Sequence, residues 1–131
     1  MDFTLNSVSI NVPDSWNPTQ VTPIPPIRLK FYAGVSLGSI EVQQVPNPAQ
    51  YLQGLNYAQD YPYAYPGYPS GGTFFLRVDQ SGAIQKTCCI LAVGIVAKSG
   101  LQYVVVGKLG IADNQDVQHV PTFADVVKQA C

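Results

Sequence analysis

Residues 84–111 read IQKTCCILAVGIVAKSGLQYVVVGKLGI, and this stretch decides the fold. Ile84 to Ala97 is mostly apolar at both parities, the pattern of a long strand buried on two faces and therefore central in its sheet. Lys98-Ser99-Gly100 turns the chain back. Leu101 to Ile111 is then the hairpin partner, with Tyr103 and Val105 on one face and Val104 and Val106 on the other. A sheet buried on both sides needs cover on both sides. The uncharged run from Thr87 to Ala97 is too short to span a bilayer, so a buried strand is the simpler reading and no membrane span is expected.

Two helices are available as cover. At the C-terminal end, Phe123, Val126, Val127 and Ala130 recur at i, i+3, i+4 and i+7, one apolar face. Thr122 is the expected N-cap, with Asp125 closing an approximate capping box, and Lys128 suits the C-terminal end of the helix dipole. So short a helix must dock on the sheet to persist. In the middle of the chain, Asn47-Pro48 is an N-cap followed by proline at the first helical position. Ala49, Leu52 and Leu55 give a narrow apolar stripe, predicting a short helix from Pro48 to about Gln59. Gly54 weakens it by roughly 1 kcal/mol relative to alanine.

The N-terminal third reads as strands. Phe3 and Leu5 share one parity and Val8, Ile10 and Val12 the other, so a tight turn or bulge at Asn6-Ser7 makes a small hairpin. Pro13-Asp14-Ser15-Trp16 stops it, and Trp16 is expected to pack over the sheet. Pro18, Pro23, Pro25 and Pro26 make residues 17–26 a loop or edge of polyproline character. Ile27–Phe31 and Ser39–Gln43 alternate as half-buried strands, with Gly34 and Gly38 marking the bend between them. Thr73 to Val78 is a further strand, followed by a turn at Asp79–Gly82. The fold class is α+β: an antiparallel β-sheet flanked by a short middle helix and a C-terminal helix.

Composition agrees with one domain over 1–131. The chain has 131 residues, 47% hydrophobic but only 11% charged, and a net charge of -1. Seven basic residues scattered along the sequence form no cluster, which argues against nucleic acid as a partner. The start, Met1-Asp2-Phe3-Thr4-Leu5, has neither a basic nor an apolar leader region. Cys88, Cys89 and Cys131 are odd in number, and neighbours in a strand point to opposite faces, so Cys88 and Cys89 are expected as free buried thiols. A reducing, cytoplasmic compartment is favoured. Cys131 is positioned to crosslink two chains.

Motifs that carry chemistry are few. His119 is the single histidine, read as solvent-exposed or capping, without a marked Ser or Cys partner. Gly107-Lys108-Leu109-Gly110 sits in a strand and does not precede a helix, so it cannot cradle phosphate. Asp113 and Asp116 lie in a polar turn that lacks the glycine and distal glutamate of an EF-hand. No catalytic residue, metal site or cofactor is expected. The unusual segment is a Tyr/Pro-rich loop at about 60–72, with Tyr61, Tyr63, Tyr65 and Tyr68, and Tyr57 just before it. Either these tyrosines cover a sheet edge, or they form a recognition surface of large contact area at low entropic cost. The five tyrosines are the candidate binding residues.

Short hairpin, Pro13-Asp14-Ser15-Trp16, sheet, a late hairpin carrying Tyr103, and a closing helix opening near Phe123 and running through Val126 and Val127: this order resembles the PsbP-like and DcrB-like proteins. That family usually ends on Ser-Phe after the helix, where this chain has Ala130-Cys131, and the Tyr-Pro loop is not one of its hallmarks. The resemblance implies a PsbP-like sandwich, an antiparallel sheet between helices, and a non-catalytic role as accessory subunit, adaptor or chaperone. It carries no site residue over to this chain. The expectation is a non-enzymatic protein-interaction domain that binds a protein partner or itself. A structural or assembly protein of a virus particle or other homo-oligomer is the alternative. A small-ligand-binding or thiol-dependent protein acting through Cys88 or Cys89 is the third reading.

Overall fold

A computed structural model describes residues 1–21, 26–34, 36–54, 63–64, 74–78, 88–111 and 118–130, with backbone alone at 63–64, 74–78, 88–90 and 111. Strands β1 (Asp2–Leu5) and β2 (Val8–Asn11) form a hairpin, and a 3-10 turn follows at Asp14–Trp16. Then come β3 (Thr19–Gln20), β4 (Ile27–Ala33), β5 (Ser36–Gln44), helix α1 (Pro48–Gly54), β6 (Tyr63–Ala64), β7 (Phe74–Val78), β8 (Cys88–Lys98), β9 (Leu101–Ile111) and helix α2 (Val120–Ala130). The fold is α+β. Seven strands form one antiparallel sheet in the order β3-β4-β5-β9-β8-β7-β6, whose outermost members are two residues long.

The β8–β9 hairpin sits inside this sheet, as its two-faced apolar pattern requires. Lys98 pairs with Leu101, and Ser99 and Gly100 both take positive φ, the geometry of a two-residue primed turn. At the other hairpin Leu5 pairs with Val8, leaving Asn6 and Ser7 as the turn, with Asn6 at φ 54. The Asn6 side-chain amide donates to the Tyr103 hydroxyl at 3.1 Å. That bond ties the hairpin tip to β9 and satisfies a phenol whose residue is otherwise fully buried.

One face of the sheet is sealed. Phe31, Ile40, Val105 and Leu109 point into a core completed by Val8, Ile10, Val12 and Trp16 from the N-terminal segment and by Phe123, Ala124 and Val127 from α2. Trp16 stacks on Phe31 with ring centroids 5.2 Å apart, and Phe123 tilts against Phe31 at 6.1 Å. Two glycines make room for these rings. A Cβ at Gly107 would fall 2.9 Å from both Phe123 Cζ and Val127 Cγ2, and a Cβ at Gly38 would overlap the Phe31 ring. Burial of each large side chain here contributes roughly 1.5–3 kcal/mol before conformational entropy is subtracted. The second face carries a smaller cluster of Val45, Leu91, Val93 and Val104, covered by Leu52 and partly by Tyr51 of α1.

The structure corrects several sequence readings. Helix α2 starts at Val120, so Thr122 lies inside the first turn and is not the N-cap. Pro121 needs no N–H partner in a first turn, and the earlier start buries Val120 completely. Gly38 is not part of the bend; it lies inside β5 opposite Phe31, and the bend falls between the end of β4 at Ala33 and the start of β5 at Ser36. For the proline-rich segment, read as a loop or edge, the edge alternative holds at Thr19 and Gln20, which pair with Lys30 and Leu29. The Asn47 cap stands as expected, its Oδ1 accepting from the Gln50 N–H at 3.2 Å. Residues 55–59 of the expected middle helix and 84–87 of the expected long strand lie outside the described residues. Cys88 and Cys89 open β8, opposite Ile111 and Gly110.

Two predictions follow from this packing. Phe123→Ala should cost about 3–5 kcal/mol in urea unfolding and Gly107→Ala about 1–3 kcal/mol. The double variant should cost clearly less than their sum, because the missing ring vacates the space that the new Cβ needs. Additive losses would mean that α2 does not press on Gly107. Separately, Ser36 is buried and its hydroxyl has no partner among the described residues. Ser36→Ala should therefore leave the urea midpoint unchanged or raise it, by up to about 1 kcal/mol in stability.

Candidate functional site

Of the five candidate tyrosines, Tyr57, Tyr61, Tyr65 and Tyr68 lie outside the described residues. Tyr63 is in β6, opposite Val78 of β7. A two-residue strand inside a Tyr/Pro segment departs from the expected irregular loop. Edge strands accept flanking prolines because their outer backbone groups need no ladder partner. Strand order puts β6 at the opposite edge from β3 and β4. Five inter-strand steps separate β6 from β4, about 24 Å.

The half of the second face that α1 leaves uncovered is built by β4, β5 and β9. Arg28, Lys30 and Tyr32 alternate outward along β4, between buried Ile27, Leu29, Phe31 and Ala33. On β5 the same face carries Leu37, Ser39 and Glu41, and on β9 it carries Lys108. Register sets these side chains in rows across the sheet. Arg28 faces Glu41, and its Nε donates to a Glu41 carboxylate oxygen at 2.7 Å. Lys30 faces Ser39, which faces Lys108 on its other side, so the two ammonium groups flank one serine. Two inter-strand spacings put their Cα atoms about 10 Å apart. Neither lysine forms an ion pair among the described residues.

In the next row Tyr32 faces Leu37, and these two are 54% and 52% exposed. A large apolar cross-strand pair left in water is the departure from an otherwise polar outer face. Beside it a depression of about 160 Å³ opens between Arg28, Lys30, Ser39 and Glu41, with Val21 at its edge. Its volume accommodates one aliphatic side chain. Two further cavities, about 340 and 260 Å³, lie at the end of the sheet around the uncharged amides Gln44, Gln102, Asn6 and Gln43.

Scattered basic residues were read from the sequence as forming no cluster; the register overturns that for Arg28, Lys30 and Lys108. Their i, i+2 spacing on β4 was visible, but Lys108 joins them only through the β4-β5-β9 pairing. Carboxylates Asp2, Asp14 and Asp125 are exposed on β1, the 3-10 turn and α2, the elements that cover the other face. His119 is half-buried, its ring edge-on to Trp16 at 6.1 Å, so it stands at the aromatic core margin and is not solvent-exposed; it directly precedes α2, the place of the capping alternative. Gly107 to Gly110 lie in β9, as read. Asp113, Asp116 and Cys131 fall outside the described residues. Among the described residues no group of three or more metal-ligating side chains occurs, and no helix is long and apolar enough to cross a membrane. The chain matches no protein-family model and no curated protein.

Tyr51 marks the border between the covered and open halves of this face. Burial raises its phenol pKa above the ordinary value, the Glu41 carboxylate raises it further, and Arg28 partly opposes both. The folded state therefore holds this proton more tightly than the unfolded chain. The stability that follows is fully present below the unfolded phenol value of about 10 and is lost as pH rises through the folded one. Tyr51→Phe should flatten the alkaline fall in urea stability above about pH 10 relative to the wild type. Identical alkaline slopes would show that neither burial nor Glu41 shifts the Tyr51 phenol.

Proposed function

We propose that this chain is a non-catalytic protein-interaction domain, of the adaptor, accessory-subunit or chaperone type. The observation that carries the reading is the exposed Tyr32–Leu37 pair on the open half of a sheet whose other face is sealed. Exposed aromatic and aliphatic side chains on a rigid sheet make contact surface at low entropic cost. The order of hairpin, Pro-x-x-Trp turn, antiparallel sheet and closing helix is also that of the PsbP-like proteins, which supports the same class. The Tyr/Pro segment, with Tyr57, Tyr61, Tyr63, Tyr65 and Tyr68, is the second contact region in this reading.

Assembly into a homo-oligomer is favoured by one specific feature. Tyr63 sits in a two-residue strand that is outermost among the described residues, and an edge of this kind can pair with a second copy. Light scattering coupled to size exclusion separates the readings. A monomer or small oligomer is expected for an adaptor, and a large closed assembly for a structural protein. Replacing Tyr63 and Tyr65 with serine should reduce association while leaving the urea midpoint within experimental error. If stability collapses and association is unchanged, these tyrosines cover the sheet edge and are not contact residues.

A further inference from the structure

We propose that the open half of the sheet face binds an acidic polypeptide segment carrying one aliphatic anchor. This rests on the protein-interaction reading above and adds the chemistry of the partner. Among the described residues the face presents three exposed cations, Arg28, Lys30 and Lys108, against one carboxylate, Glu41, which Arg28 already engages at 2.7 Å. The chain as a whole carries a net charge of -1, so this face is positive against the sign of the molecule. Lys30 and Lys108 have no carboxylate partner among the described residues, and in this proposal the partner supplies one. A carboxylate on a partner strand reaches each of them if the strand crosses β4, β5 and β9 along the Lys30–Ser39–Lys108 row. Arg77 of β7 holds a register position in the same row, beyond Leu91.

The anchor follows from the depression of about 160 Å³ among Arg28, Lys30, Ser39 and Glu41. An aliphatic side chain fills it, with carboxylates on either side over the lysines and with Tyr32 and Leu37 as adjoining apolar surface. Anchors that fill a small pocket inside a polar rim carry binding energy out of proportion to their number. These two lysines set specificity and association rate more than affinity. Nucleic acid fits this face less well. Phosphate-driven binding draws on many cations at once, and stacking of successive bases needs several aromatic platforms, where the described part of the face offers only Tyr32.

The test uses the full chain and a fluorescein-labelled peptide with one leucine between paired glutamates in a glycine–serine flank. Fluorescence anisotropy should give saturable binding at or below roughly millimolar peptide. Raising salt should weaken it. The pair Lys30→Glu and Lys108→Glu should weaken it roughly tenfold. Replacing the peptide leucine with serine should weaken it by a similar factor. Because the substituted side chains are exposed, the variant should keep the wild-type urea midpoint, which separates lost binding from lost folding. Equal binding of a peptide with lysine in place of glutamate overturns the proposal. Preferential binding of oligothymidylate overturns it together with the protein-interaction reading of this face. If neither ligand binds while association through Tyr63 and Tyr65 persists, the acidic-partner proposal falls and the protein-interaction reading stands.

Discussion

Phe31 lies across Gly38, its directly paired neighbour on β5, and the rest of the packing is arranged around that contact. A ring laid over a cross-strand glycine fills the gap that the missing side chain leaves and fixes the register of the two strands. Trp16 then stacks on the Phe31 ring, which brings the N-terminal turn onto the sheet. Phe123 tilts against the same ring and presses on Gly107 one strand further in, which brings α2 down beside it. Gly107 pairs with Ile40, two residues from Gly38, so the two gaps are diagonal neighbours on one face. Segments near the two ends of the chain are thereby joined through three rings and two glycines.

Sealing one face with aromatic rings and an eleven-residue helix leaves the other face with far less cover. Helix α1 spans seven residues and its one fully buried apolar anchor beyond Pro48 is Leu52, enough for the Val45, Leu91, Val93 and Val104 end of the sheet. Beyond that end the outer positions must tolerate water. Arg28, Lys30, Ser39, Glu41 and Lys108 do so; Tyr32 and Leu37 do not follow the rule. Such a cross-strand pair contributes roughly 0.2–1 kcal/mol to the β4–β5 hairpin, and it leaves apolar surface in water that a purely solvated face does not need. The interaction reading is drawn from that departure, set beside two lysines without a carboxylate among the described residues.

Much of the fold was legible because its signals are local. Period-two alternation marks β4 and β5, two-sided apolarity marks β8 and β9, and Asn47-Pro48 marks the start of α1 through a side-chain cap that the structure contains. The start of α2 was not legible, because Thr122 is the better local cap while the gain from burying Val120 depends on a sheet the sequence does not display. Gly38 looked like a bend for the same reason: its neighbour in space is a ring on another strand. The basic face was hidden most thoroughly. Arg28 and Lys30 share a parity that can be read directly, but Lys108 enters the same row only through two strand pairings. A sequence scan for charge runs cannot see a cluster assembled across strands.

The depression on the open face lies beside the short edge strand β3. Strand β3 begins to pair with β4 at Thr19 and Gln20, and the Val21 N–H still donates to the Arg28 carbonyl at 2.7 Å. Thr19 stands opposite Lys30 and Val21 beside Arg28, so the side chains that this segment lends the edge are a threonine and a valine. These short side chains leave open the recess of about 160 Å³ between the Arg28–Glu41 ion pair and Lys30, a lysine without an ion-pair partner among the described residues.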